Sequence, residues 1–174
     1  SENNTPTYQF QVVKLLRLFE IKKVRGQYAK FYLSPTVKDK RLNGTFPNAE
    51  FVRNKQNVYT PTNEISVQMA TIYYHMQNMA LLDEKLGVGS VNTWPRDIGI
   101  GVKIPQKTNT NSFQLMKNNA LYEGSFDAIL FVPEETDKLP IAVNGGILAH
   151  EHFHSLFFKM VMSKLYEEGI ASKD

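Results

Sequence analysis

The expected fold depends most on one stretch, Gly145-Gly-Ile-Leu-Ala-His-Glu-His-Phe-His-Ser-Leu-Phe-Phe-Lys-Met-Val161. Its apolar residues recur at three- and four-residue spacing, which predicts a largely buried helix of about five turns over residues 145–162. Glu151 lies early in this helix, whereas Lys159 and Lys164 lie late, as the helix dipole favours. Three of the chain's 4 histidines fall within five residues of this stretch.

A second helix is predicted upstream, over residues 64–86. Thr62 or Asn63 can cap its start and Gly87 can end it. The spacing of Ile65, Met69, Ile72 and Met76 gives this helix one apolar face.

Strands are predicted between the two helices. Apolar residues alternate over Ile98–Ile104, and Ala128–Val132 is apolar throughout. A short strand is expected around residues 120–122. Strands are also favoured before residue 34, and the turn residues of 34–62 predict turns and an extended connection.

We therefore expect an α+β fold in which a mixed, mostly antiparallel sheet packs on the two helices. Residues 61–174 would form the main lobe. Residues 1–60 would form an N-terminal β-rich extension or pro-like segment.

Composition limits the chemistry that the chain can perform. The 174 residues are 42% apolar and include no cysteine, which excludes thiol nucleophiles and Cys-based metal sites. Any metal must be bound by His, Asp or Glu. No apolar run approaches the roughly 18 residues of a membrane span. A secreted or periplasmic location is expected, with the cytoplasm as the alternative.

Positive charge is concentrated in the first part of the chain. Residues 1–60 contain 11 Lys/Arg and 4 Asp/Glu, whereas residues 61–174 contain 9 and 13. A nucleic-acid surface is one interpretation of this basic block, which includes Lys22 and Lys23. No nucleic-acid-binding motif accompanies it, so we favour a solvated face and expect no nucleic-acid partner.

The candidate chemistry lies in His150-Glu151-His152-Phe153-His154. On a helix, His150 and His154 share one face, so both imidazoles can reach one ion. Glu151 lies about 100° around the helix, where it can deprotonate a water without being a ligand. This is the H-E-x-x-H pattern of zinc peptidases.

Two other interpretations are open for these histidines. In a strand, His150, His152 and His154 would share a face and form a three-histidine site, with Glu151 pointing away. On a helix they could also be ordinary surface residues. The helical apolar period on both sides favours the zinc pattern, with His152 on another face and not a ligand.

A catalytic zinc ion usually has three protein ligands and a water. The carboxylates after His154 are Glu167, Glu168 and Asp174. Residues 166–172 resemble a short second helix that returns towards the first. Glu168 is the favoured third ligand, with Glu167 and Asp174 as alternatives.

The chain from about residue 64 resembles the thermolysin-like gluzincin metallopeptidases. Asn144-Gly-Gly-Ile147 is similar to that family's S-G-G-I lead-in, and Asn118-Asn-Ala-Leu-Tyr-Glu-Gly124 to its N-N-A-F-W-D-G edge strand. Glu167-Glu-Gly-Ile-Ala171 is similar to its third-ligand segment. Tyr73-Tyr-His75 falls where the family has a tyrosine-rich helix.

The resemblance implies a zincin-like lobe with one catalytic zinc ion on His150, His154 and Glu168, and Glu151 as general base. It also implies that Asn119 and Ala120 bind the substrate backbone.

The sequence departs from the family in three ways. Only 14 positions separate His154 from Glu168, fewer than in the family. Ser172 stands where the family has an aspartate that orients the first histidine, and the family's helical lobe would lie beyond residue 174. Tyr166 is the candidate donor to the tetrahedral intermediate, with a purely structural tyrosine as the alternative.

The expected function is zinc-dependent hydrolysis of peptide bonds in a peptide or protein substrate. The alternative is a degenerate, non-catalytic zinc-binding module that mediates protein interaction. Peptide specificity and oligomeric state do not follow from the sequence.

Overall fold

A computed structural model describes residues 9–38, 41–107, 112–134 and 139–170. It is a mixed α+β structure with a mixed sheet and few helices, which confirms the predicted class. No helix in these ranges has the length and apolar character needed to cross a bilayer.

The central sheet has five strands in the order β10-β11-β7-β3-β4. Their bounds are β3 Ala29–Lys38, β4 Arg41–Thr45, β7 Arg96–Ile100, β10 Ala120–Glu123 and β11 Ala128–Phe131. The other strands form three two-stranded ribbons: β1 Leu18–Glu20 with β2 Arg25–Gly26, β5 Phe51–Arg53 with β6 Tyr59–Pro61, and β8 Pro105–Lys107 with β9 Phe113–Leu115. The edge strand β10 has only one neighbour in the sheet.

The expectation of a mostly antiparallel sheet is wrong. β7 pairs in parallel with both β3 and β11, and only the two outer pairings are antiparallel. Helix α1, Glu64–Lys85, connects the β5–β6 ribbon to β7. A crossover of this kind permits parallel pairing of β3 with β7. Alternation of apolar residues predicts a strand but does not give its direction.

The first 60 residues contribute to the central sheet. β3 lies between β4 and β7, so strands from both sides of residue 60 share one set of ladders. The β-rich character of this stretch agrees with the sequence. Its assignment as a separate extension or pro-like segment stays a prediction.

Helix α1 spans Glu64–Lys85, close to the predicted 64–86. The Asn63 side chain caps it by accepting a hydrogen bond from the Ser66 backbone N–H at 2.9 Å. Gly87, with φ of +76°, follows its end. On its buried side, the Tyr73 hydroxyl donates to the Leu16 carbonyl at 2.9 Å, which fixes the N-terminal segment against the helix.

Helix α2 spans Gly145–Phe157 and begins at the Asn144 cap, whose side chain accepts from the Gly146 N–H at 2.9 Å. A π-helical segment, Phe158–Met162, follows directly, and α3, Ser163–Glu167, follows that. The junction residues have right-handed helical backbone angles, so the chain is continuously helical from 145 to 167. We call this stretch the long helix. The predicted helix that returns from residue 166 is therefore wrong for Tyr166 and Glu167, which extend the long helix.

The main hydrophobic core lies between one face of the sheet and the two helices. Its largest members are Phe31, Ile98, Ile129 and Phe131 from strands and Met69, Ile72, Tyr73, Met76 and Leu148 from helices. The opposite face has a smaller cluster of Tyr32, Leu42, Val102, Ala128 and Leu130. Adjacent residues such as Phe31 and Tyr32 lie in different clusters, as the two-residue period of a strand requires.

Candidate metal and catalytic site

His150 and His154 lie one turn apart on the same face of α2. Their Nε2 atoms are 2.9 Å apart and their ring centroids 4.5 Å apart. Both side chains are exposed. The strand interpretation, with three histidines on one face, is wrong because this segment is helical.

The donor atoms of this pair fit a zinc ion. Two imidazole nitrogens that converge on one point are the donors that zinc commonly takes. Ligands about 2.05 Å from an ion would be about 2.9 Å apart at a right angle and about 3.3 Å apart in a tetrahedron. The exposed rings can open by the few tenths of an ångström that the tetrahedral arrangement needs.

Glu151 occupies a different environment from its two neighbours in the motif. Its side chain is 6% exposed, and its Oε2 accepts a hydrogen bond from the Tyr122 backbone N–H at 2.7 Å. A bond from an N–H to a carboxylate is charge-assisted and stronger than a neutral one. Glu151 is thereby fixed between α2 and the edge strand β10.

The edge of β10 that faces α2 carries backbone groups that no strand pairs among the described residues, although side chains accept from its Ala120 and Tyr122 N–H groups. Val132 N–H donates to the Asn119 carbonyl at 3.0 Å, so Asn119 and Leu121 point their backbone groups at β11. The alternation of an antiparallel ladder then points those of Ala120 and Tyr122 at the open edge. The Ala120 N–H is engaged there by the Asn119 side chain, at 3.0 Å.

This geometry places Asn119 and Ala120 on the strand that contacts Glu151. Their predicted role in binding the backbone of a substrate stays a prediction.

His152 points away from the pair, into the interface between α1 and α2. Its Nε2 lies 3.1 and 3.0 Å from the two carboxylate oxygens of Asp83 on α1. Burial lowers the pKa of His152, and the Asp83 carboxylate opposes that shift. Since a carboxylate only accepts, Nε2 carries the hydrogen and donates, and Nδ1 is buried without a partner in the described structure. The sequence-based view that His152 is not a ligand agrees with this placement.

A partly buried ionic network fixes the long helix against β10 from a second direction. Arg96, 1% exposed, lies 2.9 Å from one oxygen of Asp127, in the turn between β10 and β11. Lys159 of the long helix lies 2.6 Å from the other oxygen. The Tyr122 hydroxyl donates to Asp127 at 3.1 Å. We call Arg96, Asp127, Lys159, Tyr122 and Asn92 the anchor network.

Asn92 connects the two cations of the anchor network. Its Oδ1 accepts from Arg96 at 2.9 Å and from Lys159 at 3.2 Å. Burial lowers the pKa of Lys159, and its hydrogen bond to Asp127 opposes that shift. For Tyr122, burial raises the pKa and the charge of Asp127 raises it further. The hydroxyl of Tyr122 therefore stays protonated and donates.

Two glycines allow the close approaches that position α2. A Cβ on Gly124, after β10, would lie 3.0 Å from the Phe158 ring. A Cβ on Gly145 would lie 2.6 Å from the His75 ring of α1. A side chain at either position would require the Phe158 or the His75 ring to shift.

The structure does not bring the other predicted site residues to the histidine pair. Glu168 is exposed just beyond α3, 14 residues along the long helix, which corresponds to about 21 Å. Tyr166 packs its ring 6.2 Å from that of Phe158. In the ranges that the structure describes, no group of three His, Asp or Glu side chains is arranged to bind a metal. Asp174 lies outside these ranges, and the third ligand stays a prediction.

A cleft of about 1090 Å³ opens on the other side of the α2 N-terminus. Its walls come from the N-terminal segment, α1 and the turn before α2, and include Tyr74, His75 and Asn144. His150, Glu151 and His154 do not line it. The cleft is therefore separate from the candidate metal site, whose chemistry lies on an exposed helix face.

Sequence reasoning missed the buried polar partners of the site. Asp83 stands among the apolar residues Met76, Met79 and Ala80 of α1, which was a usable signal of a buried charge. Arg96, directly before an apolar strand, was a weaker signal. No sequence signal indicates the pairing of Asp127 with Lys159, because 31 residues lie between them.

Comparisons with known proteins identify no family: no family model, no curated protein and no solved structure matches the chain.

Proposed function

We propose that the chain is a zincin-like lobe and acts as a zinc-dependent metallopeptidase. The observation that supports this most is the contrast within one helical turn of α2. Two exposed imidazoles converge at 2.9 Å, while the carboxylate between them is buried against an open strand edge. Ligands and a general base need these two different environments.

His150 and His154 would bind the zinc ion, with a carboxylate as third ligand. When bound, zinc acts as a Lewis acid on the scissile carbonyl and lowers the pKa of a water. Glu151 takes a proton from the attacking water and passes it to the leaving amine. The hydrogen bond from Tyr122 fixes Oε2, so the base keeps one orientation throughout.

The open edge of β10 would bind the substrate. An extended peptide that adds to a sheet edge forms main-chain hydrogen bonds whatever its sequence. Ala120 and Tyr122 present their carbonyls at that edge, since their N–H groups donate to Asn119 and Glu151. Asn119 would turn its side chain from the Ala120 N–H to the substrate backbone. The scissile bond would then lie between the strand edge and α2.

The deciding experiment compares Glu151→Gln with the parent chain. Loaded with zinc, the parent should cleave an unstructured protein such as casein, and chelation should abolish the cleavage. Glu151→Gln should bind zinc equally well but lose roughly 10²- to 10⁴-fold in activity, the usual contribution of a general base. Glu84→Gln, on an exposed position of α1, is the matched control and should retain full activity.

One observation favours the alternative function, a zinc-binding module without catalysis. The histidine pair is exposed, and the described residues assemble no third ligand around it. Zinc binding by the parent without cleavage would support this module. Activity that survives Glu151→Gln would exclude Glu151 as the base.

A further inference from the structure

The side-chain carbonyl of Asn92 is strongly polarised within the anchor network. Asn92 is 5% exposed, and its Oδ1 lies within hydrogen-bond distance of three donor groups. They are Arg96 Nη1 at 2.9 Å, Ser155 Oγ at 3.1 Å and Lys159 Nζ at 3.2 Å. The single hydrogen of Ser155 is shared with the His152 carbonyl, at 2.8 Å, but the other two donors are cations. Donors placed in this way stabilise the negative charge that a carbonyl oxygen gains when its carbon is attacked.

The nitrogen of the same amide has no partner. Asn92 Nδ2 is buried and forms no hydrogen bond with any described residue. A buried donor without an acceptor costs free energy, and each such group in a native structure needs an explanation. A reaction that removed this nitrogen would also remove the unsatisfied group.

Lys159 places an amine beside the polarised carbonyl. It belongs to the π-helical segment Phe158–Met162, and such segments frequently occur at functional sites. Burial lowers the pKa of Lys159, which favours the neutral and nucleophilic amine. Because a C=O bond is about 1.23 Å long and Nζ is 3.2 Å from Oδ1, Asn92 Cγ lies at most about 4.4 Å from Nζ. A movement of about 1 Å towards the face of the amide gives the roughly 3–3.5 Å of a near-attack geometry.

Asp127 is placed to take a proton from this amine. Its Oδ2 is 2.6 Å from Lys159 Nζ, and its Oδ1 is fixed by Arg96 at 2.9 Å and by the Tyr122 hydroxyl at 3.1 Å. A general base must lie within hydrogen-bond reach of the proton that it takes. The side chains of Lys159 and Asp127 are 20% and 30% exposed, so a small product formed between them has a path to solvent.

We propose that Lys159 and Asn92 become joined by an isopeptide bond, a cross-link that the folded chain forms within itself. Asp127 takes one proton from the Lys159 ammonium, and the neutral amine attacks Asn92 Cγ. A second proton passes from the attacking nitrogen to Nδ2, the Cγ–Nδ2 bond breaks, and the carbonyl re-forms as ammonia leaves. The proton on Asp127 departs with the ammonia as ammonium. The step needs no oxidant or reductant, because it exchanges one amide for another.

Asn92, and not the nearer Asp127, is the group that the amine attacks. A carboxylate carries a negative charge that disfavours attack by an electron pair. The amide is neutral, and its oxygen keeps the hydrogen bond from the Arg96 guanidinium throughout the reaction.

The cross-link would stabilise the fold without a disulfide. Residues 92 and 159 are 67 positions apart, and a covalent bond that closes a loop of this length restricts the unfolded chain. The chain has no cysteine with which to form a disulfide. The bond also joins the long helix to the segment that precedes β7. This inference does not depend on the proposed function, because it uses neither the histidine pair nor Glu151.

The first test is the mass of the intact parent chain, measured by electrospray mass spectrometry in denaturing solvent. Release of ammonia predicts a mass about 17 Da below that of the sequence, and a tryptic digest should contain one branched peptide that joins Asn92 to Lys159. A loss of about 18 Da, with a branch at Asp127, would mean release of water and overturn the assignment of Asn92. The full sequence mass after prolonged incubation of the folded chain would overturn the cross-link itself.

The second test uses variants, since succinimide formation at an Asn-Gly pair such as Asn43-Gly44 also releases ammonia. Lys159→Arg keeps a cation beside Asp127 but has no nucleophilic amine, so it should have the full mass of its own sequence. Lys164→Arg, at an exposed position of α3, is the matched control and should lose as much mass as the parent. Persistence of the loss in Lys159→Arg, or a parent digest without the branched peptide, would overturn the inference. The branched peptide is sought in the parent, so this outcome is decided even where a variant fails to fold.

Discussion

The first and second parts of the long helix differ in how they are fixed in the structure. Within α2, Leu148, Glu151, His152 and Ser155 are buried, and they contact α1, β10 or the anchor network. From Phe158 to Glu167 no residue is buried. The candidate base therefore has an orientation fixed by packing, whereas Glu168, the favoured third ligand, is exposed. Preorganisation of this site is confined to Glu151 and its supports.

Among the substitutions that test this contrast, Arg96→Met should cause the largest loss in the free energy of unfolding. Arg96 is almost completely buried and contacts both Asp127 and Asn92, so its loss leaves two polar groups of the anchor network without that partner. Removal of one member of a buried ion pair typically costs about 3–5 kcal/mol, and the lower end of that range applies here because Asp127 is 30% exposed and keeps Lys159 at 2.6 Å. We expect a loss of that size in the free energy of unfolding, measured by urea denaturation.

Arg25→Met is the control for this change. Arg25 is exposed in β2, and its replacement should change stability by no more than about 0.5 kcal/mol. Equal losses in the two variants would show that the anchor network does not stabilise the contact between α2 and β10.

The sequence predicted those parts of the fold that depend on local periodicity. Both helices and the strands β10 and β11 are close to their expected positions, because each has a clear apolar pattern and, for the helices, a capping asparagine. β7 spans Arg96–Ile100 and not the expected Ile98–Ile104, so only part of that prediction is confirmed. Sheet direction was not predictable, because it depends on the crossover through α1. Neither was the place of β3 inside the central sheet.

The candidate site, too, is predictable only where it depends on local spacing along the chain. The convergence of His150 and His154 follows from four-residue spacing on a helix. The bond between Glu151 and the Tyr122 N–H joins residues 29 positions apart, and no spacing rule predicts it. The sequence predicts that the helix over 145–162 ends at residue 162 and that a returning helix begins at residue 166. No glycine or proline lies between 162 and Gly169 to end the helix, and the chain continues as a helix.

A smaller effect is expected at the contact between α1 and α2. Asp83→Ala leaves the buried His152 ring without its partner on Nε2, and an unsatisfied buried polar group costs about 1–3 kcal/mol. Asp83→Asn keeps an oxygen that can accept from Nε2, so it should retain most of that stability. The comparison is made by thermal denaturation at pH 7.5 in chelator. An Asn variant as unstable as the Ala variant would show that the negative charge, and not the hydrogen bond, stabilises this contact.

The smallest effect on folding should come from the exposed face of the long helix. Phe157→Gln removes an aromatic ring that is 43% exposed, and in chelator, at a concentration where the chain is monomeric, we expect a change within about 0.5 kcal/mol. Leu148→Ala, about two and a half turns earlier and fully buried, should cost about 2–5 kcal/mol in the same urea titration. Both variants truncate an apolar side chain of one continuous helix, so the ratio of the two losses measures the difference between its parts. A large loss at Phe157 would mean that the folded chain already covers this face of the long helix.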